Sequence, residues 1–296
     1  MERVGLIGLG AMGLPMARNI LKAGFPLAVW ARRPESAEGI CSEGASWAAT
    51  PGDLARASDV VVLMVTNSPD VEDLMVEGGI LAAASWGSAV VDMSTIAPSV
   101  SRKMAALCVE RRIYFLDAPV SGGTPGAETG TLAIMVGGEE AGFERAKPVL
   151  QAMGDKIFHV GPSGSGEIVK LVNNMLVGVV AAATAEALVL GAKAGADVET
   201  MAKVVSVSTG ASWQLANQFP LRAFNGSFQP GFMTDLLTKD LGLALELGAE
   251  QQTPLFFAAL ARQLYGEVQA HGYGRDDYTS VLRVLEAKAG VEVRIE

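Results

Sequence analysis

Cysteine and histidine are almost missing from this chain, each occurring twice in 296 residues. Cys41 and Cys108 have no metal-ligand spacing, and His159 and His271 stand far apart. That argues against a disulfide framework and against any metal site, and it points to a reducing compartment, the cytoplasm. Positive charge is short as well: 23 Lys and Arg face 32 Asp and Glu, for a net charge of -9. Nucleic acid and anionic membrane are therefore not expected partners, and any basic residue that binds phosphate must be placed locally. A signal-peptide layout is lacking, because the chain opens directly in a strand pattern. The longest apolar run, Met175 to Leu190, is interrupted by Glu186 and bracketed by Lys170 and Lys193. It is too short for a membrane span and reads as a buried helix.

The most informative stretch is at the start. Val4 to Ile7 is a short apolar run, read as a buried strand, and Gly8-Leu9-Gly10-Ala11-Met12-Gly13 follows at once. A helical pattern then begins at Leu14 and closes at Gly24. Strand, glycine turn and helix form the context in which G-x-G-x-x-G binds a dinucleotide. Gly8 permits the tight turn, Gly10 lets a pyrophosphate approach the backbone, and Gly13 lets helix and strand pack closely. The helix N-terminus offers N–H groups and partial positive charge to the phosphates.

Strands and helices alternate through the first half. Further strands are expected at Leu27 to Trp30, Val60 to Val65, Ala89 to Met93, Tyr114 to Asp117, Leu132 to Val136 and Ile157 to Val160. Such alternation predicts a doubly wound parallel α/β sheet of the Rossmann kind. After Gly161 the patterns are helical only, beginning with one long helix over Gly166 to Ala194. The chain thus divides into a nucleotide-binding domain, 1–161, and an all-helical substrate and oligomerisation domain, 162–296, joined by the long helix.

The second strand decides which nucleotide. The acid that grips a ribose 2′-hydroxyl usually stands at its end. Here the strand runs into Ala31-Arg32-Arg33-Pro34, and no Asp or Glu occupies the tip. A guanidinium there pairs with a 2′-phosphate, so NADP is favoured over NAD, with Glu35 leaving some NAD use open. Asn67, with Thr66, is expected to flank the adenosine or pyrophosphate.

Other segments carry chemistry. Lys170 and Asn174 are four apart on the long helix and share a face. An ammonium and a carboxamide converging there suit a carbonyl substrate, with Lys170 donating a proton as hydride arrives or stabilising the developing alkoxide, and Asn174 orienting Lys170 or the substrate hydroxyl. Ser121-Gly122-Gly123 follows a strand end and can present backbone N–H groups to an anion. Phe232 could cover the apolar side of a small substrate, and Trp213 is a weaker candidate. Arg222 could face a second carboxylate, but the sequence does not place it.

Six motifs occur in one order: Gly8-Leu9-Gly10-Ala11-Met12-Gly13, Asp92-Met93-Ser94-Thr95, Asp117-Ala118-Pro119-Val120-Ser121-Gly122-Gly123, Gly130-Thr131-Leu132, Gly164-Ser165-Gly166 with Lys170-Leu171-Val172-Asn173-Asn174, and Lys239-Asp240-Leu241. With them the chain resembles, over nearly its whole length, the beta-hydroxyacid dehydrogenases. This group includes 3-hydroxyisobutyrate dehydrogenase, tartronate semialdehyde reductase and glyoxylate/succinic semialdehyde reductases. The resemblance implies that Lys170 is the catalytic lysine and that Ser121, Gly122 and Gly123 hold the substrate carboxylate, with Thr124 influencing substrate choice. It further implies that Thr95 meets the nicotinamide end and that Lys239 reaches cofactor and substrate with the support of Asp240. A homodimer or homotetramer is expected. The reaction implied is NADP(H)-dependent interconversion of a short aldehyde acid and its hydroxy acid, the alternative being an NAD-dependent 3-hydroxyisobutyrate-type dehydrogenase. An imine reductase is disfavoured because that group typically carries Asp or Tyr where Lys170 stands. A scaffold without turnover is disfavoured by the presence of Lys170, Asn174 and Lys239 together.

Overall fold

The computed structural model describes residues 1–295 and contains two compact units, the first Met1–Lys170 and the second beginning at Leu171. The dividing line falls inside a helix, slightly beyond the change of pattern at 161.

The first unit is built on a sheet of nine strands. They are β1 (Val4–Ile7), β2 (Leu27–Trp30), β3 (Ser46–Trp47), β4 (Val60–Leu63), β5 (Ala89–Asp92), β6 (Tyr114–Asp117), β7 (Val120–Ser121), β8 (Leu132–Gly137) and β9 (Gly154–Gly161). The order is β3-β2-β1-β4-β5-β6-β8-β7, with β9 paired to β8. The strands from β3 to β6 are parallel, in register Leu6 to Val29 and Val62, and Asp92 to Asp117. Beyond β6 the sheet reverses: β8 is antiparallel to β6 and β7, and only β9 runs parallel to it. The expected all-parallel sheet thus holds for its dinucleotide-binding part. At the reversal the chain leaves β6 through β7, turns through a short helix, Gly123–Thr129, and returns as β8 antiparallel to both strands.

The apolar strands serve two cores at once. Val4 and Leu6 of β1 and Val60 and Val62 of β4 face one cluster, while Ile7, Val61 and Leu63 face the other. Helices cover both faces, which is why these strands read as continuous apolar runs. The first cluster is closed by α1 (Gly13–Lys22) with Met16, Ala17 and Ile20, joined later by α8 (Glu140–Leu150). Between these come the short α2 (Glu38–Ser42), α3 (Pro51–Ala57), α4 (Ser68–Met75), α5 (Ile80–Ala83), α6 (Pro98–Glu110) and α7 (Gly123–Thr129). Of these, α3, α4 and α6 cover the opposite face through Leu54, Val71, Met75 and Met104. Thr50 and Asn67 cap α3 and α4, accepting the N–H groups of Asp53 and Asp70, and each is followed by a proline in the first turn. That proline costs no hydrogen bond at such a position. β3, β7 and α5 are too short to show a periodicity in sequence.

The second unit is helical. α9 (Ser165–Lys193) runs in from the first unit and is followed by α10 (Val198–Ser206), a π-helical segment Gln214–Ala223, α11 (Thr234–Glu250), α12 (Phe256–Ala270), a 3-10 turn Tyr278–Ser280 and α13 (Val281–Ala289). Ala181, Ala185 and Leu188 of α9 share one core with Phe219, Leu237, Leu241, Tyr265 and Val281. The π segment carries an internal proline, Pro220, and is held by Gln214, whose Oε1 accepts the Tyr278 hydroxyl at 2.6 Å. No 3.6-residue pattern announces such a wide turn. At 29 residues, α9 matches the long helix expected over Gly166 to Ala194, and it alone among the described residues is long and apolar enough to cross a membrane. Only 33% of its most apolar window is buried, so the sequence reading of a buried helix holds for one face only.

Candidate functional site

The carboxyl ends of the parallel strands carry the loops from which a doubly wound sheet builds its ligand crevice, at the point where strand order reverses. Here that point is between β1 and β4. Gly8, after β1, has φ of +103°, and an added Cβ would lie 2.1 Å from the Met64 carbonyl oxygen. At Gly13 a Cβ would lie 1.8 Å from the Gly8 carbonyl oxygen, so helix and turn pack backbone to backbone. Gly10 is different, for a Cβ there would meet nothing within 4 Å. The space above Gly10 is open, as the approach of a pyrophosphate requires. α1 has no side-chain cap and no acid in its first turn, which leaves its N-terminal N–H groups to an anion. Leu9 and Met12 are partly buried and pack against the core, and Ala11 is exposed. The turn therefore fits a dinucleotide.

Around it, β2 ends toward Arg32 and Arg33. Arg33 is exposed, and Arg32 Nη1 lies 3.3 Å from Asp70 Oδ1, in the first turn of α4. Asn67 uses its carboxamide oxygen on the Asp70 N–H at 2.9 Å, so its role in this structure is that of a helix cap. Ser94, not singled out in the sequence, ties two loops together. Its Oγ accepts the Val65 N–H at 2.9 Å, and its own N–H donates to Asp92 Oδ1 at 3.0 Å. Thr66 and Thr95 flank these anchored positions. Ser121 lies in β7, Gly122 and Gly123 take positive φ, and Gly123 and Thr124 open α7. The stretch is thus a strand-to-helix junction.

Lys170 is positioned from its own helix start. Asp117, at the end of β6, accepts the N–H of Gly164 at 2.7 Å and that of Glu167 at 3.1 Å, which caps α9. Burial pushes the Asp117 carboxyl above its ordinary value, opposed by those backbone N–H groups. Gly137 and Gly166 make room for it, since a Cβ at either would come within 3 Å of a carboxylate oxygen. Glu167, one turn before Lys170, is fully buried, and Lys170 is only 8% exposed. Asp117 and Glu167 are the residues sequence reasoning missed here. Asp117 heads one of the six motifs, and Glu167 falls between Gly166 and Lys170 of another, which was the only signal for either.

In the second unit the structure brings three of the expected residues together. Asn174 Nδ2 donates to Asp240 Oδ2 at 2.5 Å, and Lys239 Nζ stands 3.1 Å from Asp240 Oδ1. Asn173, quoted only as part of a motif, donates to Asn174 Oδ1 at 3.0 Å. Asp240 is buried, so its charge acts in a low dielectric with little screening. Phe232 stands at the entrance to α11, its N–H and that of Gly231 both donated to Asp277 Oδ2 and its ring edge-on to Tyr278. The Arg222 guanidinium lies close to Gly231, where a Cβ would meet Nη2 at 3.0 Å, and its Nε is buried without a hydrogen-bond partner among the described residues. Trp213 is exposed. Neither cysteine enters: Cys41 and Cys108 are free thiols, and burial pushes Cys108 up to about 12. No group of three or more metal-ligating side chains occurs among the described residues.

A sheet of this order with an open glycine turn, followed by a helical unit, defines a dinucleotide-binding protein of the doubly wound class. Comparison with known proteins agrees over both parts. Residues 3–161 match the NAD-binding domain of 6-phosphogluconate dehydrogenase, and residues 164–285 match the NAD-binding region of NADP-dependent 3-hydroxyisobutyrate dehydrogenase. The chain is 44% identical to 2-(hydroxymethyl)glutarate dehydrogenase of Eubacterium barkeri, over 98% of this chain and 97% of that one. It is 39% identical to the NAD-dependent L-serine dehydrogenase of Pseudomonas aeruginosa, over 98% and 100%. The solved structure of Mycobacterium tuberculosis 3-hydroxyisobutyrate dehydrogenase with L-serine superposes with a TM-score of 0.90 at 34% identity, covering 96% of this chain and 99% of that one. The chain belongs to the beta-hydroxyacid dehydrogenase family and is an oxidoreductase acting on the CH–OH group of hydroxy acids.

Proposed function

We propose that the protein is an NADP(H)-dependent reductase that interconverts a short aldehyde acid and its hydroxy acid. Glyoxylate, succinic semialdehyde, tartronate semialdehyde and methylmalonate semialdehyde are the candidate carbonyl forms. The observation that carries this reading is Lys170, nearly buried on the first turns of α9, with Asn174 one turn on and itself fixed to Asp240. In this assignment residues 1–161 bind the cofactor, and residues 162–296 supply substrate and oligomer contacts. The backbone of the Gly8 to Gly13 turn holds the pyrophosphate, and Arg32 and Arg33 pair with the 2′-phosphate. Asn67 and Thr95 line the cofactor from the loops after β4 and β5. Ser121, Gly122 and Gly123 hold the substrate carboxylate, Thr124 and Phe232 bound its tail, and Lys239, steadied by Asp240, serves both ligands. When bound, the nicotinamide supplies hydride to the carbonyl carbon or accepts it from the hydroxy acid. Lys170 gives a proton to the carbonyl oxygen during reduction and takes it back during oxidation. A kinetic screen of the four carbonyl acids with NADPH and with NADH tests the proposal. Turnover of at least one acid, more efficient with NADPH, is expected. Turnover as efficient with NADH would overturn the cofactor assignment, and no turnover of any acid would overturn the substrate class.

We assign the enzyme to the cytoplasm, supported by its two free thiols. We also assign it a homodimeric or homotetrameric state. Val169, Val172, Leu176, Ala183, Ala187 and Leu190 form an exposed apolar stripe along α9, and Phe256, Phe257 and Leu260 are exposed on α12. Apolar surface of this kind is characteristic of an association face. A monomer by light scattering would contradict this.

A further inference from the structure

The sequence shows no acid at the end of β2, yet the fold delivers one there from another element. β2 and β4 flank β1 on either side. Arg32 follows β2 and Asp70 follows β4, and the two meet at 3.3 Å on the carboxyl edge of the sheet, where the Gly8 turn also lies. The two partners are not equally held. Asp70 is in the first turn of α4, its N–H bonded to Asn67 Oδ1, with a side chain 19% exposed; the Arg32 side chain is 75% exposed. The carboxylate is therefore the fixed partner and the guanidinium the movable one. An exposed pair of this kind contributes little to stability, so its placement matters more than its strength.

We propose that Asp70 sets the balance between the two cofactors. This rests on the reading that Arg32 meets the 2′ position of the adenosine ribose. A carboxylate beside that arginine accepts a hydrogen bond from a 2′-hydroxyl, as the acid usually placed at the end of β2 does. The same carboxylate repels a 2′-phosphate dianion and competes with it for the guanidinium. Arg32 draws the phosphate form in, and Asp70 limits by how much. The chain therefore discriminates between NADPH and NADH less sharply than its Arg32-Arg33 pair alone would dictate.

The test is binding, separate from turnover. Dissociation constants of the Asp70→Asn protein and the wild type for NADPH and NADH are read from nicotinamide fluorescence. Asparagine keeps the shape of the side chain, and the α4 cap uses the backbone N–H, so the fold is retained; a matching thermal midpoint checks this. If Asp70→Asn fails to fold, Asp70→Ser is judged by the same ratio. The ratio of the NADH to the NADPH dissociation constant is expected to rise about tenfold, the effect of removing one like charge a few ångströms from the phosphate. An unchanged or smaller ratio overturns the proposal. Arg32→Gln, measured alongside, separates the two readings. If it weakens NADPH binding while Asp70→Asn changes nothing, the arginine assignment stands and the role of Asp70 fails. If it leaves NADPH binding unaltered, the arginine assignment itself fails.

Discussion

The two units handle their functional residues in different ways. In the first, the turn proposed to hold the cofactor is made of backbone, and Gly8, Gly10 and Gly13 differ by the space around each Cα. In the second, the candidate site is made of side chains gathered from distant turns. Asn174 on α9 bonds to Asp240 on α11, and Asp277 pins the Gly231-Phe232 loop. A backbone site is tolerant of sequence except at its glycines. A side-chain site depends on each partner in turn, and on a core built from contacts far apart in the chain.

The sharpest way to break this contrast is inside the glycine turn. Gly13→Ala forces a Cβ against backbone that cannot move aside. Its cost is expected at about 3 kcal/mol, the upper end for overpacking, read as a large fall in the thermal midpoint. Gly10→Ala has open space around it, so it should fold with an unchanged midpoint while binding of either dinucleotide weakens. Equal stability losses at both positions would erase the distinction between packing glycine and ligand glycine.

A smaller effect is expected at the side-chain site. Asp240→Asn removes the charge that holds Lys239 and receives Asn174. A hydrogen bond to a charged group is worth about 1.5–3 kcal/mol, so kcat/KM should fall roughly ten- to hundredfold with the fold retained. A loss of stability without a loss of activity would recast Asp240 as a core residue.

The smallest effect lies away from both. Arg3 donates side-chain hydrogen bonds to Asp59 and holds that carboxyl at about 2, against an ordinary 3.8. Its folded value is depressed, so the stability it contributes is present above pH 4 and is lost as pH falls toward 2. Asp59→Asn should lower the thermal midpoint slightly at neutral pH and flatten its acid limb, so that variant and wild type converge as pH falls toward 2. An unaltered acid limb would remove the pair from the account.

The same contrast explains what could be read in advance. The glycine turn, the apolar strands and the long helix announce themselves locally, because turn geometry and burial on both faces leave marks in adjacent residues. The reversal at β8, the π segment and the Arg32–Asp70 meeting do not, since each arises from elements that come together only in the folded chain. Lys170 and Asn174 were legible from helical spacing together with ordered motifs. Asp117, whose carboxylate caps α9 across a long stretch of sequence, was visible only as a strand end and the first residue of a motif, without its role. Arg222 was named without a place, and the structure sets it against Gly231.

The central claim is that Lys170 handles the proton. Reduction of the best carbonyl acid by NADPH, followed in wild type and Lys170→Ala proteins of matched thermal midpoint and matched NADPH affinity, tests it most directly. The account predicts that kcat falls by about 10²–10⁴-fold, the range for loss of a positioned general acid, while NADPH still binds. Near-normal turnover by the Lys170→Ala protein would contradict it.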